Sequence, residues 1–127
     1  MTNVTYALCA IDCPDPVAMA TFYSALCGLR IAPYDQPDDV VGWVELLNGD
    51  RPTLAFQRVA PHQPPTWPEG DQPQRLHLDF LVDDLDEGQL FALSLGATLA
   101  AHQPGGSSFR VFLDPLGHPF CLVLRAP

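Results

Sequence analysis

The sequence contains no lysine, and its six basic residues are all arginines that lie far apart along the chain. Acidic residues outnumber them, so the chain carries a formal net charge of −9. Because no basic stripe is present to neutralise phosphates, we expect no binding to nucleic acid and no attraction to anionic membranes. The absence of lysine also excludes Schiff-base chemistry on a lysine side chain.

Long hydrophobic runs are also absent, although 47% of the residues are hydrophobic. No run approaches the roughly 20 residues that a helix needs to span a bilayer. The N-terminal residues lack the basic segment of a signal peptide. With 127 residues and 17% charged residues, the composition is typical of one globular domain, 1–127, and we expect it to be cytoplasmic.

Cysteine is scarce and shows no C-x-x-C pair among Cys9, Cys13, Cys27 and Cys121. Cys9 and Cys13 share a face of a predicted strand but lie too far apart to bridge easily. In a cytoplasmic chain this favours buried or half-buried thiols. The G-x-S-x-G, Walker A and Rossmann glycine patterns are absent too, which leaves hydrolase, nucleotide-phosphate and dinucleotide interpretations without support.

Proline, in contrast, is concentrated in one stretch. Residues 60–74 contain five prolines in fifteen residues, which cannot pair as a central strand and favour an extended backbone. We interpret 60–74 as a linker between a first module at about residues 4–59 and a second at about residues 75–125. Both modules show a strand, a helix and then further strands, so an α+β fold of two βαβββ modules is expected.

Local signals set the limits of the predicted elements. Asp15 is a suitable cap and Pro16 a suitable first residue for a helix that ends at Gly28. A second helix is predicted to end at Gly96, and "NGDRP" and "DPLGHP" are turn signals between strands. The segments 31–41 and 98–103 are each predicted to hold a further short strand.

Alternation assigns the two faces of the strand in "LHLDFLV". Residues predicted to pack on helices are Leu76, Leu78, Phe80 and Val82. The pattern places His77, Asp79 and Leu81 on the opposite face. The same alternation in other predicted strands places Gln57 and Cys121 on that face too. A face with few polar groups among apolar ones is typical of a small-molecule pocket; the alternative is a solvated sheet face.

Three segments resemble the vicinal oxygen chelate superfamily, which includes glyoxalases and bleomycin-resistance proteins. They are "DPVAMATFYSALCG", "HLDFLVDDLDE" and "LDPLGHPFCL", and the resemblance to small glyoxalase-like proteins extends over nearly the whole chain. It implies tandem βαβββ modules that form a curved mixed sheet around a small-molecule cavity, with the helices on the outer face. It also implies a homodimer.

Metal-dependent members of this superfamily carry four ligands, and the resemblance assigns those positions to Leu8, Ala55, His77 and Cys121. Leu8 and Ala55 have no donor atom, so a complete divalent-metal site and a cofactor are not expected. If a metal binds, His77 and Cys121 would hold it. Gln57 and Asp79 would be the further donors on the same face.

His77 is the candidate catalytic residue. It is interpreted as a ligand, a general base or a hydrogen-bonding anchor for a substrate, with a structural hydrogen bond as the alternative. Asp79 either tunes His77, binds a polar group of the ligand or forms a surface ion pair. His118 lies at the turn and faces away from Cys121, so it is placed at the rim of the cavity.

Aromatic side chains supply candidate walls for this cavity. Trp43 alternates with Val44 and shares a face with Glu45, but the sequence leaves open which face that is. Glu45 is either the missing carboxylate or a solvated residue. Trp67, between prolines, is either a lid over the cavity or an anchor that holds the linker on the sheet.

The resulting hypothesis is a protein that binds a small organic molecule, in a ligand-binding or resistance-type role. The alternative is a metal-dependent lyase, isomerase or dioxygenase that uses His77. The candidate binding residues are Trp43, Gln57, Trp67, Asp79, His118 and Cys121.

Overall fold

A computed structural model of the chain describes residues 3–126. The chain forms two compact units, of which the first ends at His62 and the second begins at Gln63. The elements of the first unit are β1 (Cys9–Cys13), α1 (Pro16–Cys27), β2 (Arg30–Ile31), β3 (Trp43–Asn48) and β4 (Arg51–Arg58). Those of the second are β5 (Leu78–Val82), α2 (Leu85–Ser94), β6 (Thr98–Leu99), β7 (Phe109–Leu113) and β8 (Pro119–Leu124). The tandem βαβββ architecture and the α+β class are therefore confirmed.

Each unit contains one mixed sheet of four strands. The strand order is β1-β4-β3-β2 in the first unit and β5-β8-β7-β6 in the second. In both, the strand before the helix pairs in parallel with the last strand, which pairs in antiparallel fashion with the strand before it. The helix provides the crossover that a parallel pair requires.

Helix α1 begins and ends where its sequence signals predict. The Asp15 carboxylate accepts a hydrogen bond of 3.1 Å from the backbone N–H of Ala18, and Pro16 opens the first turn. At the other end Gly28 has a φ of +80°, a conformation that glycine adopts without steric cost. Tyr23 of α1 stacks on Phe56 of β4 with ring centroids 5.6 Å apart, so this helix covers one face of its sheet.

Helix α2 covers one face of the second sheet in a similar way. Asp84 caps it by accepting a 2.8 Å hydrogen bond from the Glu87 N–H. A Cβ added at Gly88 would lie 3.0 Å from Val82 and 3.2 Å from Leu122, so glycine permits a close approach of helix and sheet. The helix ends at Ser94, two residues before the predicted Gly96.

The two short strands and the start of β5 differ in part from the sequence predictions. The strand predicted in 98–103 is present at Thr98–Leu99. The strand predicted in 31–41 overlaps that segment only at Ile31, because β2 consists of Arg30–Ile31 and residues 32–41 form no strand. Leu76, predicted to pack in the core, is instead 71% exposed, because β5 begins only at Leu78 and the alternation does not extend back to it. Of the helices within residues 3–126, none has the length and apolar character needed to cross a membrane.

Candidate functional site

The side of the second sheet that lies away from α2 is called here the second helix-free face. Register places Asp79 beside Cys121 on the neighbouring strand, and Cys121 beside Val111 on the next. Partners in register point to the same side of a sheet. The face therefore consists of Asp79, Leu81, Phe109, Val111, Cys121 and Val123. The alternation in the sequence placed Asp79, Leu81 and Cys121 on this same side.

Three candidate residues converge at one part of this face. Nε2 of His77 lies 3.2 Å from Oδ1 of Asp79, and the two side chains are 42% and 56% exposed. One donor atom from each of His77, Asp79 and Cys121 can be chosen so that all three lie within 4.8 Å of one another. Cys121 itself is only 7% exposed. A nitrogen, an oxygen and a sulfur atom thus meet at the boundary between solvent and the apolar face.

The surroundings of Cys121 keep its thiol protonated. Burial, the negative charge of Asp79 and a hydrogen bond to its carboxylate together raise the pKa of Cys121 to about 11, and burial has the largest effect. A neutral thiol beside a carboxylate donates a weak hydrogen bond. Asp79 therefore stands between two neighbours, the imidazole of His77 and the thiol of Cys121.

Trp67 lies over the apolar part of the second helix-free face. It packs, together with Phe109 and Val123, against the buried cluster of Ala100, Val111 and Cys121. Its ring also approaches that of His102, with centroids 5.3 Å apart and planes at 45°.

The loop that carries Trp67 is closed by its own hydrogen bonds. The N–H of Thr66 donates to the carbonyl of Gln72 at 2.6 Å, and the N–H of Gln74 donates to the carbonyl of Thr66 at 3.2 Å. Thr66 and Pro73 also form an isolated bridge. Part of the predicted 60–74 linker is thus folded back on itself, and the choice between lid and anchor for Trp67 stays a prediction.

His118 belongs to the turn and not to the cluster around Cys121. The Asp114 carboxylate accepts hydrogen bonds from the N–H groups of Leu116 and His118, at 2.9 and 3.0 Å. Nδ1 of His118 lies 2.9 Å from the carbonyl oxygen of Pro119. "DPLGHP" therefore forms the predicted turn, and the binding role of His118 stays a prediction.

The side of the first sheet away from α1 is called the first helix-free face. It consists of Ala10, Asp12, Trp43, Glu45, Ala55 and Gln57. This assignment answers the question that the sequence left open for Trp43 and Glu45, because Trp43 pairs in register with Gln57 and Glu45 with Ala55. The indole N–H of Trp43 donates a 2.9 Å hydrogen bond to Oε2 of Glu45.

Asp12 is a polar residue of the first helix-free face that the sequence interpretation missed. It lies beside Gln57, which in turn lies beside Trp43, so the three residues form one row across three strands. The signal was present in the sequence, since Asp12 continues the alternation of Leu8 and Ala10.

The profile of the glyoxalase-like domain matches residues 9–123, which is nearly the whole chain. The protein belongs to the glyoxalase-like domain family. The same match confirms the superfamily resemblance that the sequence segments indicated. No protein with a curated description matches the sequence.

Solved structures share the fold of this glyoxalase-like protein. A glyoxalase/bleomycin resistance protein/dioxygenase family enzyme from Burkholderia phytofirmans superposes with a TM-score of 0.65 at 22% identity, over 93% of this chain and 96% of that one. The fosfomycin resistance protein FosX from Listeria monocytogenes gives 0.64 at 15% identity, over 99% and 96%. The lactoylglutathione lyase from Agrobacterium tumefaciens gives 0.58 at 18% identity, over 98% and 96%. Similarity at this level establishes the fold and leaves the activity to the residues of the site.

The residues present can be compared with the four metal positions that the family resemblance implies. Leu8 and Ala55 supply no donor atom, and Ala55 is fully buried, so a four-ligand site does not fit this chain. His77, Asp79 and Cys121 do fit a site of three protein ligands, because imidazole, carboxylate and thiolate are all zinc donors. A metal there would have to displace the proton of Cys121.

Proposed function

We propose that this glyoxalase-like protein binds a small organic molecule on its helix-free sheet faces and does so without the four-ligand metal site. The observation that carries the proposal is the composition of the second helix-free face. Val111 and Cys121 of this face, buried together with Ala100, provide an apolar floor, and the His77–Asp79 pair lies beside it. A small set of polar groups at the edge of an apolar surface is the usual composition of a ligand site.

The polar groups limit the chemistry of the ligand. His77 can accept or donate a hydrogen bond, and Asp79 orients its ring through the 3.2 Å contact. The protonated thiol of Cys121 offers little nucleophilicity near neutral pH, because the thiolate is the reactive form. A ligand with an apolar body and one hydrogen-bonding group suits this face. In this proposal the protein sequesters its ligand, as a resistance-type protein would.

A fragment titration of chelator-treated protein tests the proposal. The two tryptophans, Trp43 and Trp67, give two indole N–H signals in a ¹H–¹⁵N spectrum. We expect apolar fragments with one hydrogen-bonding group to shift the Trp67 signal. His77→Gln should weaken this binding about tenfold, in line with the loss of one good hydrogen bond, and His62→Gln serves as the matched control. Fragments that bind only after Zn²⁺ is added would contradict the proposal.

A second candidate function is that of a metal-dependent lyase, isomerase or dioxygenase that uses His77. The observation that favours it is the grouping of three donor atoms within 4.8 Å. Such a metal would act as a Lewis acid toward a substrate oxygen. Reconstitution with Co²⁺ distinguishes the two candidates, because a cobalt–thiolate bond gives a charge-transfer absorption band. The enzyme hypothesis expects that band, and expects Cys121→Ser to remove it.

Two further predictions from the sequence concern assembly and location. We propose a homodimer in the cytoplasm, as the resemblance and the composition suggest. Sedimentation velocity of the full chain tests the first point, since a dimer has twice the mass of the 13.9 kDa chain.

A further inference from the structure

We propose that the first helix-free face recognises a flat organic cation, such as an aromatic amidinium or amine, through Trp43, Glu45 and Asp12. The inference rests on the proposed function, in that it assumes that helix-free faces bind small molecules. It names the residues of the first unit that bind and the charge of their ligand.

Trp43 presents its ring, rather than its N–H group, to a ligand. The indole N–H already donates to Glu45 at 2.9 Å, which fixes the ring while the side chain remains 40% exposed. Trp43 is thus an exposed side chain on the face of its sheet away from α1, and it offers a platform for stacking. Cations are attracted to the negative face of an indole ring, and flat cations also stack on it.

Glu45 and Asp12 supply negative charge that the protein itself does not neutralise. No ion pair formed by residues 3–126 involves either carboxylate. A carboxylate has room for about four hydrogen bonds, and Glu45 accepts one from Trp43. Asp12 is exposed at the far end of the row that passes through Gln57 to Trp43. Three strands of this row extend over roughly 10 Å, the length of a small aromatic molecule.

Two of the three arginines of the first unit have partners elsewhere, and the third lies far from Gln57 along its strand. Arg30 pairs with Asp50 at 3.5 Å, and Arg58 donates to three backbone carbonyls. Arg51 lies six residues before Gln57 on β4, which is roughly 20 Å along a strand. A cation from outside is therefore the natural partner of Glu45 and Asp12.

The charge of the whole protein acts in the same direction. With a formal net charge of −9, the protein attracts cations to its surface and repels anions. Gln57, between Asp12 and Trp43, can accept or donate a hydrogen bond and so discriminate among planar cations. The negative charge, the exposed indole ring and the polar side chains of this face thus all favour a flat organic cation.

Three probes of nearly equal shape test the proposal: benzamidine, which is a cation, benzamide, which is neutral, and benzoate, which is an anion. Each is titrated into the ¹⁵N-labelled full chain, and the indole signals are assigned with Trp43→Phe. We expect benzamidine to shift the Trp43 signal in a saturable manner and benzamide to bind at least tenfold more weakly. Benzoate should give no shift.

Substitutions then ask whether the two carboxylates are responsible. Glu45→Gln and Asp12→Asn should each weaken benzamidine binding about fivefold, as expected for a partly exposed charged contact. Glu87→Gln removes the same charge from α2 in the second unit and should change the affinity less than twofold. Equal binding of benzamide, or equal effects of Glu45→Gln and Glu87→Gln, would overturn the cation site.

The two signals also separate the two proposals. If the probes shift Trp67 and leave Trp43 unchanged, the cation site is wrong while the proposed ligand-binding function stands. If benzamidine shifts Trp43 and no fragment shifts Trp67, the cation site stands and the proposed role of the second face is wrong. If neither indole signal shifts, the cation site is wrong.

Discussion

The thiol of Cys121 and the carboxylate of Asp79 lie side by side on two parallel strands, and the carboxylate keeps the thiol protonated. Asp79 helps to raise the pKa of Cys121 to about 11 and at the same time lies 3.2 Å from His77. The carboxylate thus lies between the thiol and the imidazole at the edge of the second helix-free face.

Asp79→Asn should make Cys121 more reactive. The substitution removes the negative charge that disfavours the thiolate, while burial still acts, so the pKa of Cys121 should fall only part of the way to its ordinary value of 9.0. At pH 8 we expect alkylation of Cys121 by iodoacetamide to become severalfold faster. Peptide mass spectrometry separates Cys121 from the other three cysteines.

Asp83→Asn is the matched control for this substitution. Asp83 pairs with Arg125 at 2.9 Å and takes no part in the pKa shift of Cys121. The control should leave the alkylation rate of Cys121 unchanged. Equal rates in the parent chain and Asp79→Asn would show that burial alone sets the pKa of the thiol.

The protein should lose stability between about pH 9 and pH 11. The unfolded thiol of Cys121 releases its proton near pH 9, whereas the folded one retains it until about pH 11. Over this interval the folded state binds more protons, so the free energy of unfolding falls as the pH rises and is unaffected by this group below pH 9. Burial raises the pKa of Cys27 as well, so the thiol of Cys27 also lowers the free energy of unfolding as the pH rises.

Urea unfolding at a series of pH values measures this loss of stability. The variant Cys121→Ala shows how much of the loss is due to the thiol of Cys121. The variant should be less stable at neutral pH, because its buried side chain is smaller, but its stability should fall less steeply above pH 9. If the free energy of unfolding of the variant falls with pH as steeply as that of the parent chain, groups other than Cys121 cause the loss of stability above pH 9.

Trp67→Ala should destabilise the second unit if Trp67 is an anchor. The side chain is half-buried against the cluster around Cys121, so we expect a loss of about 2 kcal/mol, roughly half the cost of emptying a core site. The alkylation rate of Cys121 should rise in parallel. A variant of unchanged stability that binds fragments more tightly would instead identify Trp67 as a lid.

Arg58→Met should destabilise the first unit by about 2 kcal/mol, since it removes three partly exposed hydrogen bonds from one side chain. Arg58 donates to the carbonyls of Pro14, Asp38 and Val41 at 2.8 to 3.0 Å. Arg51→Met, on the same strand, is the matched control and should cost less than 0.5 kcal/mol. Chemical denaturation measures both, and equal losses would show that the three contacts contribute nothing specific.

Much of the fold was predictable because its signals are local. Asp15, Pro16 and Gly28 mark the ends of α1 through capping and backbone conformation, which depend on a few neighbouring residues. Alternation assigned Asp79 and Cys121 to one face because the side-chain period of a strand is two. It failed for Leu76, since alternation cannot tell where a strand begins.

The arrangement of the site needed information that one strand does not contain. The sequence paired Trp43 with Glu45, but only the register with Gln57 and Ala55 showed which face they occupy. Likewise, the contact of Trp67 with the cluster around Cys121 depends on a loop closed between Thr66 and Gln74. Pairing between strands and loop closure join residues that are distant in sequence, and a single sequence does not encode them in any local pattern.

Native mass spectrometry of the tag-free protein, purified without added metal, tests the central claim most directly, because one spectrum records both bound metal and bound organic molecules. We expect the mass of the polypeptide alone or with a small organic molecule, and we expect the bound fraction of that molecule to be unchanged after treatment with a chelator. One divalent metal ion per chain, lost in His77→Ala, would contradict it.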